Sequence, residues 1–375
     1  MHVALDALPL QVRSAGIAVY TDGLARALVA ERPGLELTLF GMRGLRPQTQ
    51  GEPLPARLRW RRSALYPFIM GAPLMHLPRL LPLERGLRGI DVFHATNYAT
   101  PRSRNTPIVL TVHDLALLRY PELGTAALRR LVGGVAAGVA VARRIVADSE
   151  ATARDLRELL AVPASRLRVV YPGCDPAFFR IDAEACHAVL ARHGLRAPYL
   201  LHVGTLEPRK NLVHLLRAYQ RARTLSTDLP PLLLAGADGW GAAAVRAAIE
   251  GLALGEHVRL IGHIPAGDLP ALYSAAALFV YPSRYEGFGL PALEAMACGA
   301  AVITSDVASL PELVGDAALR VDPDDMPALA DAIVRVLTDS ALRNALQQAG
   351  PLRAAAFTWD RCARAMLAVY DEAVT

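Results

Sequence analysis

The chain has 375 residues, of which 53% are apolar, so a disordered chain is excluded and two domains with separate cores are possible. Its net charge of +5 is uneven, because residues 1–180 hold 24 Arg against 14 acidic residues and residues 181–375 hold 16 basic against 21 acidic residues. A basic half suits an anionic partner or simply carries solvated arginines. No nucleic-acid-binding module accompanies the charge, so we expect no nucleic-acid partner.

Short apolar runs alternate with helical patterns along the first half, which predicts an α/β domain with a parallel sheet. Strands are predicted at residues 3–6, 36–40, 90–94, 108–114, 145–149 and 167–175. Residues 14–20 are expected to form a loop that enters a helix, and Ser149 to cap a helix through Leu160. Ligands of such sheets bind beyond the carboxyl ends of strands, so His113 is a candidate site residue, although a structural histidine fits the same pattern.

A basic segment extends from Arg57 to Arg88, with Arg interleaved among Trp, Tyr, Phe and Leu. This composition suits contact with an anionic membrane surface, and a helical cover with exposed arginines is the alternative. The apolar run at residues 131–142 is too short to span a bilayer, and residues 1–6 resemble a strand rather than a signal peptide. We therefore expect a cytoplasmic protein, peripheral at the inner face of the cell membrane.

The second half continues the alternation, with strands predicted at 232–236, 258–262, 276–281 and 300–304. Residues 182–193 are expected to form a helix in the connection between domains, and residues 359–374 a final helix. The predicted domains are 1–180 and 181–356. The four cysteines show neither metal-ligand nor redox spacing, and the acidic turn at residues 322–325 is interpreted as structural rather than as a metal site.

A glycine-rich elbow separates the last two of these strands and leads into a helix at residues 291–297, which Gly299 ends. Free N–H groups at such a helix N-terminus suit a phosphate. Glu286 and Glu294 flank the elbow, and carboxylates accept hydrogen bonds from hydroxyl groups. Phosphate and hydroxyls together describe a nucleotide sugar, whereas a glycine turn with a helix-capping Glu is the alternative.

Lys210 is the single Lys among 40 basic residues, and it follows a strand that ends at Gly204. Lys and Arg are not interchangeable where a compact charge must approach a phosphate oxygen. The position beside Arg209 favours a phosphate-binding role over chance survival of one Lys.

The segments 203–211 (VGTLEPRKN), 286–294 (EGFGLPALE) and 301–312 (AVITSDVASLPE) resemble retaining glycosyltransferases of family 4. The resemblance implies the GT-B fold, an α/β architecture in which two Rossmann-like parallel-sheet domains face each other across a cleft. It also implies transfer of a sugar from a nucleoside diphosphate sugar to a hydroxyl with retained configuration. No metal and no further cofactor are expected.

The resemblance also implies roles for individual residues. Glu286 would hold sugar hydroxyls and Glu294 ribose hydroxyls, while Arg209 and Lys210 would stabilise the leaving diphosphate, and His113 would face the donor sugar. Further donor contacts are implied for Gly16, Gly204, Ile264, Phe288, Gly289 and Leu290. The resemblance also implies that the first domain is the acceptor side and that residues 181–356 bind the nucleotide sugar. The C-terminal segment 357–375 would pack back on the first domain.

Residues 111–122 look most like mannosyltransferases that use GDP-mannose, and UDP-glucose remains an open alternative. The expected acceptor is a saccharide or lipid-linked saccharide in cell-surface polysaccharide assembly. The same architecture hosts phosphorylases and epimerases. A non-catalytic nucleotide-sugar-binding protein is a further alternative, which the complete set of Arg209, Lys210, Glu286 and Glu294 disfavours.

Overall fold

The computed structural model describes residues 1–12, 15–45, 55–70 and 80–375. Its strands are β1 His2–Asp6, β2 Glu36–Met42, β3 Arg59–Ser63, β4 Val92–Ala95, β5 Ile108–Val112, β6 Arg144–Ala147, β7 Leu167–Val169, β8 Leu200–Val203, β9 Leu232–Ala235, β10 Val258–Gly262, β11 Leu278–Tyr281, β12 Val302–Ser305 and β13 Leu319–Val321. Its α-helices are α1 Leu8–Val12, α2 Ala15–Glu31, α3 Tyr66–Met70, α4 Ala116–Arg119, α5 Ala126–Val141, α6 Glu150–Leu160, α7 Ala183–Arg192, α8 Leu212–Leu225, α9 Ala242–Gly251, α10 Leu269–Ala275, α11 Leu290–Ala297, α12 Leu310–Val314, α13 Met326–Thr338, α14 Ser340–Ala354 and α15 Trp359–Val374.

These elements divide into two compact units, one comprising Met1–Gly173 with Phe357–Thr375 and the other Cys174–Ala356. The first boundary lies at Gly173 rather than at the predicted residue 180. Residues 174–180 belong to the second unit. Directly after them, the backbone N–H of Ile181 donates to Ser274 Oγ of the same unit at 3.0 Å.

The first unit contains a parallel sheet in the order β3-β2-β1-β4-β5-β6-β7 among the described strands. The order reverses between β1 and β4, which is the topology of a doubly wound sheet. Edge strand β3 was not predicted, because its sequence Arg59-Trp-Arg-Arg-Ser63 was assigned to a basic surface segment. Arginines suit an edge strand, since charged side chains there prevent pairing with other chains.

Helix α15 belongs to the first unit and packs on α2. Thr358 caps it by accepting a hydrogen bond from the N–H of Arg361 at 3.3 Å. A Cβ atom on Gly23 of α2 would lie 2.2 Å from the Trp359 ring, so only glycine permits this approach. Buried Met366 and Tyr370 extend this packed surface along α15. The predicted final helix is confirmed at its stated limits.

The second unit contains a parallel sheet in the order β10-β9-β8-β11-β12-β13. Strands β8, β9, β11 and β12 are almost wholly buried, as expected for a parallel sheet covered by helices on both faces. Its order reverses between β8 and β11. The two units therefore share one topology, with β1 and β4 in the first corresponding to β8 and β11 in the second.

Two further differences from the sequence predictions concern the first unit. Helix α2 begins at Ala15, so Gly16 lies in its first turn instead of in a loop, and residues 13–14 are outside the described residues. Residues 71–79 of the basic segment are also outside them. Within the described part of the chain, no helix is long and apolar enough to cross a membrane.

Candidate active site

The carboxyl ends of β8 and β11 meet where the strand order of the second sheet reverses. In doubly wound sheets this switch point is where ligands bind. The segment after β8 leads through Gly204 and a 3-10 turn, Pro208–Lys210, into α8. The segment after β11 carries Glu286 and Gly289 into α11. The topology therefore brings both sequence motifs to one place.

Arg209, Lys210 and Glu286 form one buried ion cluster at this switch point. Arg209 Nη1 lies 2.6 Å from Glu286 Oε2, and Lys210 Nζ lies 2.7 Å from Glu286 Oε1. Arg209 also donates through Nη2 to Glu207 Oε1 at 2.7 Å. Lys210 Nζ donates to the Tyr281 hydroxyl at 2.6 Å. Two cations and two carboxylates therefore hold each other in place.

The charges in this cluster shift one another's pKa values. Burial alone would raise the pKa of Glu286, but Arg209 and Lys210 outweigh it and lower the pKa to about 2. Burial lowers the pKa of Lys210, the charge of Arg209 adds to this effect, and Glu286 and Glu207 oppose it. Glu286 is therefore ionised at neutral pH, and its charge is what keeps the buried ammonium in place.

The elbow before α11 needs glycine at position 289. Gly289 has φ +107°, and an added Cβ would lie 2.8 Å from Leu310 Cδ2. Among the described residues, no side chain caps the N-terminus of α11. The Ser309 hydroxyl donates to the carbonyls of Glu286 and Phe288, each at 2.9 Å. Phe288 and Leu290 thus flank a rigid turn whose backbone N–H groups can receive an anion.

Close backbone approaches fix the segment after β8. A Cβ on Gly236, at the end of β9, would lie 1.9 Å from the carbonyl oxygen of Gly204. A Cβ on Gly204 would lie 3.4 Å from Lys210 Cε. Ile264, which follows β10, is buried. The Lys210 side chain thus packs against Gly204 at an ordinary van der Waals distance.

Glu294 occupies a different environment from Glu286. It lies on α11, half-buried, and accepts a hydrogen bond from the Tyr273 hydroxyl at 3.0 Å. Burial raises the pKa of its carboxyl to about 8, Tyr273 opposes the shift and Asp175 adds to it. None of its described partners belongs to the Arg209–Lys210–Glu286 cluster. This environment favours the protonated carboxyl at neutral pH.

His113 lies in the first unit at the end of β5, with both ring nitrogens engaged. Nδ1 is 2.7 Å from Asp148 Oδ2 and Nε2 is 2.8 Å from the carbonyl oxygen of Thr96. Both partners can accept hydrogen bonds, an arrangement that favours the ring with both nitrogens protonated. Burial lowers the pKa of His113, but Asp148, the Thr96 carbonyl and Asp114 together outweigh burial and the net shift is upward. Gly16, in the same unit, is exposed, and an added Cβ would meet no described atom within 4 Å.

Sequence reasoning missed several residues that build the site. Glu207 balances the charge of Arg209, Tyr281 accepts from Lys210, and Ser309 shapes the elbow. Asn211, with φ +58°, turns the chain from the 3-10 segment into α8. Glu207 lies only two residues before Arg209, so their pairing could have been predicted from the sequence. The contacts of Tyr281 and Ser309 are long-range and left no local signal.

The carboxylates of the acidic turn after β13 make local structural contacts. Asp325 caps α13 by accepting from the N–H of Ala328 at 2.8 Å, and Asp324 pairs with Arg284. Asp322 Oδ1 accepts from the N–H of Asp324 at 2.8 Å. Among the described residues, no group of three or more His, Cys, Asp or Glu is arranged to hold a metal ion.

Comparison with known proteins identifies the class. Residues 14–178 match the family described as Glycosyltransferase Family 4, and residues 191–353 match Glycosyl transferases group 1. The chain has the GT-B fold, with two doubly wound parallel sheets. The chain therefore belongs to the family 4 glycosyltransferases, and the predicted family is confirmed.

Three similar proteins illustrate the relationship. O-antigen chain mannosyltransferase B from Escherichia coli is 32% identical over 379 residues, covering 99% of each chain. The structure of sucrose-phosphate synthase from Thermosynechococcus elongatus is 25% identical, with a TM-score of 0.77, and covers 99% of this chain and 98% of that one. The Anabaena protein Alr3699/HepE, solved in complex with UDP-glucose, is 17% identical with a TM-score of 0.73 and covers 99% of this chain and 100% of that one.

Proposed function

We propose that this glycosyltransferase moves mannose from GDP-mannose to a hydroxyl of a saccharide or lipid-linked saccharide in cell-surface polysaccharide biosynthesis. The anomeric configuration is retained. The observation that carries the proposal is the ion cluster of Arg209, Lys210 and Glu286 at the switch point of the second sheet. The name of the full-length Escherichia coli relative supports mannose as the transferred sugar.

The cluster suits departure of a nucleoside diphosphate. Negative charge builds on the leaving diphosphate, and Arg209 and Lys210 are the cations in position to stabilise it. Their carboxylate partners, Glu207 and Glu286, leave the cluster neutral overall. A diphosphate that draws the cations would free Glu286 to accept hydrogen bonds from sugar hydroxyls. These cations supply the stabilising charge, so the proposal includes no metal and no further cofactor.

The remaining residues have supporting roles in the proposal. Backbone groups at Gly204, Ile264, Phe288, Gly289 and Leu290 contact the nucleotide and its phosphates, as the family resemblance implies. Glu294 accepts hydrogen bonds from the ribose. The donor contacts implied for His113 and Gly16 stay predictions. Because both nitrogens of His113 already donate, it contributes charge and position rather than a free nitrogen.

A UDP-sugar donor is the second candidate. The Anabaena protein of the same fold was solved with UDP-glucose, which favours UDP-glucose as the comparison substrate. The two candidates differ in base and in sugar, and the ion cluster would treat both diphosphates alike. Only direct comparison of donors separates them.

The test is a panel of GDP-mannose, UDP-glucose, GDP and UDP with the purified chain. Thermal unfolding reports binding, because a ligand that binds only the folded state raises its stability by about 2.7 kcal/mol at 100 times its Kd. Nucleotide release and transfer to methyl α-mannoside report turnover, and the anomeric proton coupling of the product reports configuration. We expect the largest shift and turnover with GDP-mannose. Nucleotide release from UDP-glucose but not from GDP-mannose would show that the donor is a UDP-sugar. A product with inverted anomeric configuration would show that the configuration is not retained.

Peripheral binding to the inner face of the cell membrane, in the cytoplasm, completes the proposal. Arg59, Arg61 and Arg62 are exposed on β3, near partly exposed Leu65 and Phe68. We expect co-sedimentation with anionic vesicles that decreases with salt, since charges are screened within about 10 Å at 0.1 M ionic strength. Replacement of Arg61 and Arg62 by Gln should weaken it. The matched control replaces exposed Arg221 and Arg335 of the second unit by Gln. An equal loss of vesicle co-sedimentation in both variants would show that β3 is not the membrane-binding surface.

A further inference from the structure

Asp6 occupies the switch point of the first sheet. It is the last residue of β1, and β1 and β4 are the strands between which the order reverses. The Thr96 hydroxyl, just beyond β4, donates to the carbonyl oxygen of Asp6 at 2.7 Å. Asp6 is 2% exposed. Its position therefore corresponds to that of the ion cluster in the second sheet.

The hydrogen bonds of the Asp6 carboxyl all reach one oxygen. The Tyr66 hydroxyl donates to Oδ1 at 2.5 Å, and the backbone N–H of Leu8 donates to Oδ1 at 3.1 Å. Among the described residues, Oδ2 receives no hydrogen bond, and no Arg, Lys or His lies within 4.0 Å of the carboxyl. One lone-pair-bearing oxygen is thus available at a ligand-binding position of the sheet.

Among the described residues, the other carboxylates that are almost fully buried, as Asp6 is, pair with a cationic side chain or histidine. Asp148 pairs with His113, whose pKa is raised, Asp155 with Arg119, and Glu207 and Glu286 with Arg209. A buried carboxyl without such a partner is costly to ionise. Burial accordingly raises the pKa of Asp6 to about 6, against the opposing hydrogen bonds from Tyr66 and Leu8. Packing alone does not require this acid, because an Asn of the same shape would keep both bonds to Oδ1.

We propose that Asp6 binds the acceptor saccharide, with Oδ2 accepting a hydrogen bond from an acceptor hydroxyl. The inference rests on the proposed glycosyl transfer, in which the first unit is expected to hold the acceptor, and it names the residue of that unit that contacts the acceptor. A hydroxyl suits the site because it is a neutral donor, and a neutral ligand does not require a cation nearby. The carboxylate form accepts the stronger hydrogen bond, so acceptor binding should improve as Asp6 ionises.

Few described groups face this carboxyl and could alter its titration. Tyr66 on α3 is the titratable neighbour on its side of the sheet, and β2 contributes Phe40. His94 on β4 is bonded instead to Tyr370 and Thr111. Tyr66 lowers the pKa of Asp6, so Tyr66→Phe should raise that pKa. The pH at which acceptor affinity is gained should then move upward.

The test measures transfer from GDP-mannose to methyl α-mannoside between pH 5 and 8 in wild type, Asp6→Asn and Tyr66→Phe. For Asp6→Asn we expect kcat/KM for the acceptor to fall about 10- to 100-fold at pH 7.5, since hydrogen bonds to a charged group are worth about 1.5–3 kcal/mol. The increase of kcat/KM near pH 6 that is expected for wild type should be absent in Asp6→Asn. In Tyr66→Phe the same increase should occur at higher pH. Exposed Asp91, at the opposite end of the sheet, gives the matched control Asp91→Asn.

Donor binding and donor hydrolysis without acceptor separate this inference from the proposed function. If wild type neither binds nor hydrolyses any donor, the proposed function fails and the inference with it. If donor chemistry is intact and Asp6→Asn keeps the wild-type acceptor KM and pH profile, Asp6 alone is wrongly assigned. A lower Tm for Asp6→Asn with unchanged acceptor KM would identify a structural carboxylate, since removing an unpaired buried charge should otherwise leave Tm unchanged or raise it.

Discussion

The two sheets have the same strand order at their switch points but opposite electrostatic environments. In the second unit, Glu286 is held between Arg209 and Lys210, and its pKa is lowered to about 2. In the first unit, Asp6 receives only neutral donors among the described residues, and its pKa is raised to about 6. One topology thus places a compensated ion cluster in one unit and an isolated acid in the other.

This difference shows that topology selects the position of a site and side chains select its ligand. Paired cations can be redirected toward a diphosphate, whose charge they match. An isolated carboxyl suits a neutral hydroxyl. The proposed donor and acceptor therefore divide between the units according to charge, and variants that disturb either environment test the division.

Glu286→Gln should have the largest effect, because it removes the charge that compensates Lys210. Breaking a buried ion pair by removing one partner costs about 3–5 kcal/mol. Urea unfolding measures the loss. Asp324→Asn is the matched control, since it removes a carboxylate from an exposed pair with Arg284 and should cost about 1 kcal/mol or less. An equal loss of unfolding free energy in the two variants would show that the buried cluster contributes no more to stability than an exposed ion pair.

Lys210→Arg preserves charge but changes its shape in a confined site. Lys210 is 7% exposed and its Nζ is held by Glu286 and the Tyr281 hydroxyl, so a planar guanidinium cannot place its charge at the same point. Misplaced stabilisation of this kind costs about 10²–10³ in kcat. Turnover at saturating donor is the measurement, and thermal unfolding without nucleotide gives the folded fraction. The reverse exchange at exposed Arg221, Arg221→Lys, is the control, and wild-type turnover by Lys210→Arg would remove Lys210 from the mechanism.

Glu294→Gln tests whether a raised pKa is part of nucleotide binding. Ribose hydroxyls donate to a carboxylate more strongly than to a carboxyl, so wild-type nucleotide affinity should rise as pH increases through about 8. The Gln variant should lack this rise and bind more weakly by about 1.5–3 kcal/mol at pH 9, with a smaller difference at pH 7. Calorimetric titration with GDP at pH 7 and at pH 9 measures the affinity of wild type and of the variant. If GDP affinity had the same pH dependence in wild type and in the variant, Glu294 would not contact the ribose.

His113→Gln tests the charged pair of the first unit through stability. The folded pKa of His113 is raised above the ordinary value of 6.5, so its stabilising contribution is complete below that value and is lost as pH rises through the folded pKa. The variant should lose about 1–3 kcal/mol at pH 6, because Asp148 loses its partner, and less at high pH. Unfolding free energies at pH 6 and 9 measure this. A loss independent of pH would mean that the ring is neutral.

Local signals in the sequence predicted much of this arrangement. The apolar strands, the cap at Ser149 and the limits of α15 were all readable from spacing and residue type. Glycine at position 289 was expected at an elbow, and the structure requires it through its positive φ. Such features depend on residues close together in the chain, and short-range sterics and hydrogen bonding determine them.

Other features required residues far apart in sequence to meet. Strand β3 was missed because its arginines suit an edge, and the edge exists only once β2 is in place. Gly16 was expected in a loop because glycine has a low helix propensity, but it lies in the first turn of α2. The roles of Tyr281 and Ser309 depend on contacts with residues more than 20 positions away.

The sequence by itself determined the α/β alternation, the family motifs and the identities of Arg209, Lys210, Glu286 and Glu294. Only the tertiary structure decided that the first three form one ion cluster while Glu294 bonds to Tyr273. It also decided the opposite pKa shifts of Glu286 and Glu294, two carboxylates eight positions apart. The physical reason is that a pKa depends on burial and on nearby charges, and long-range packing sets both.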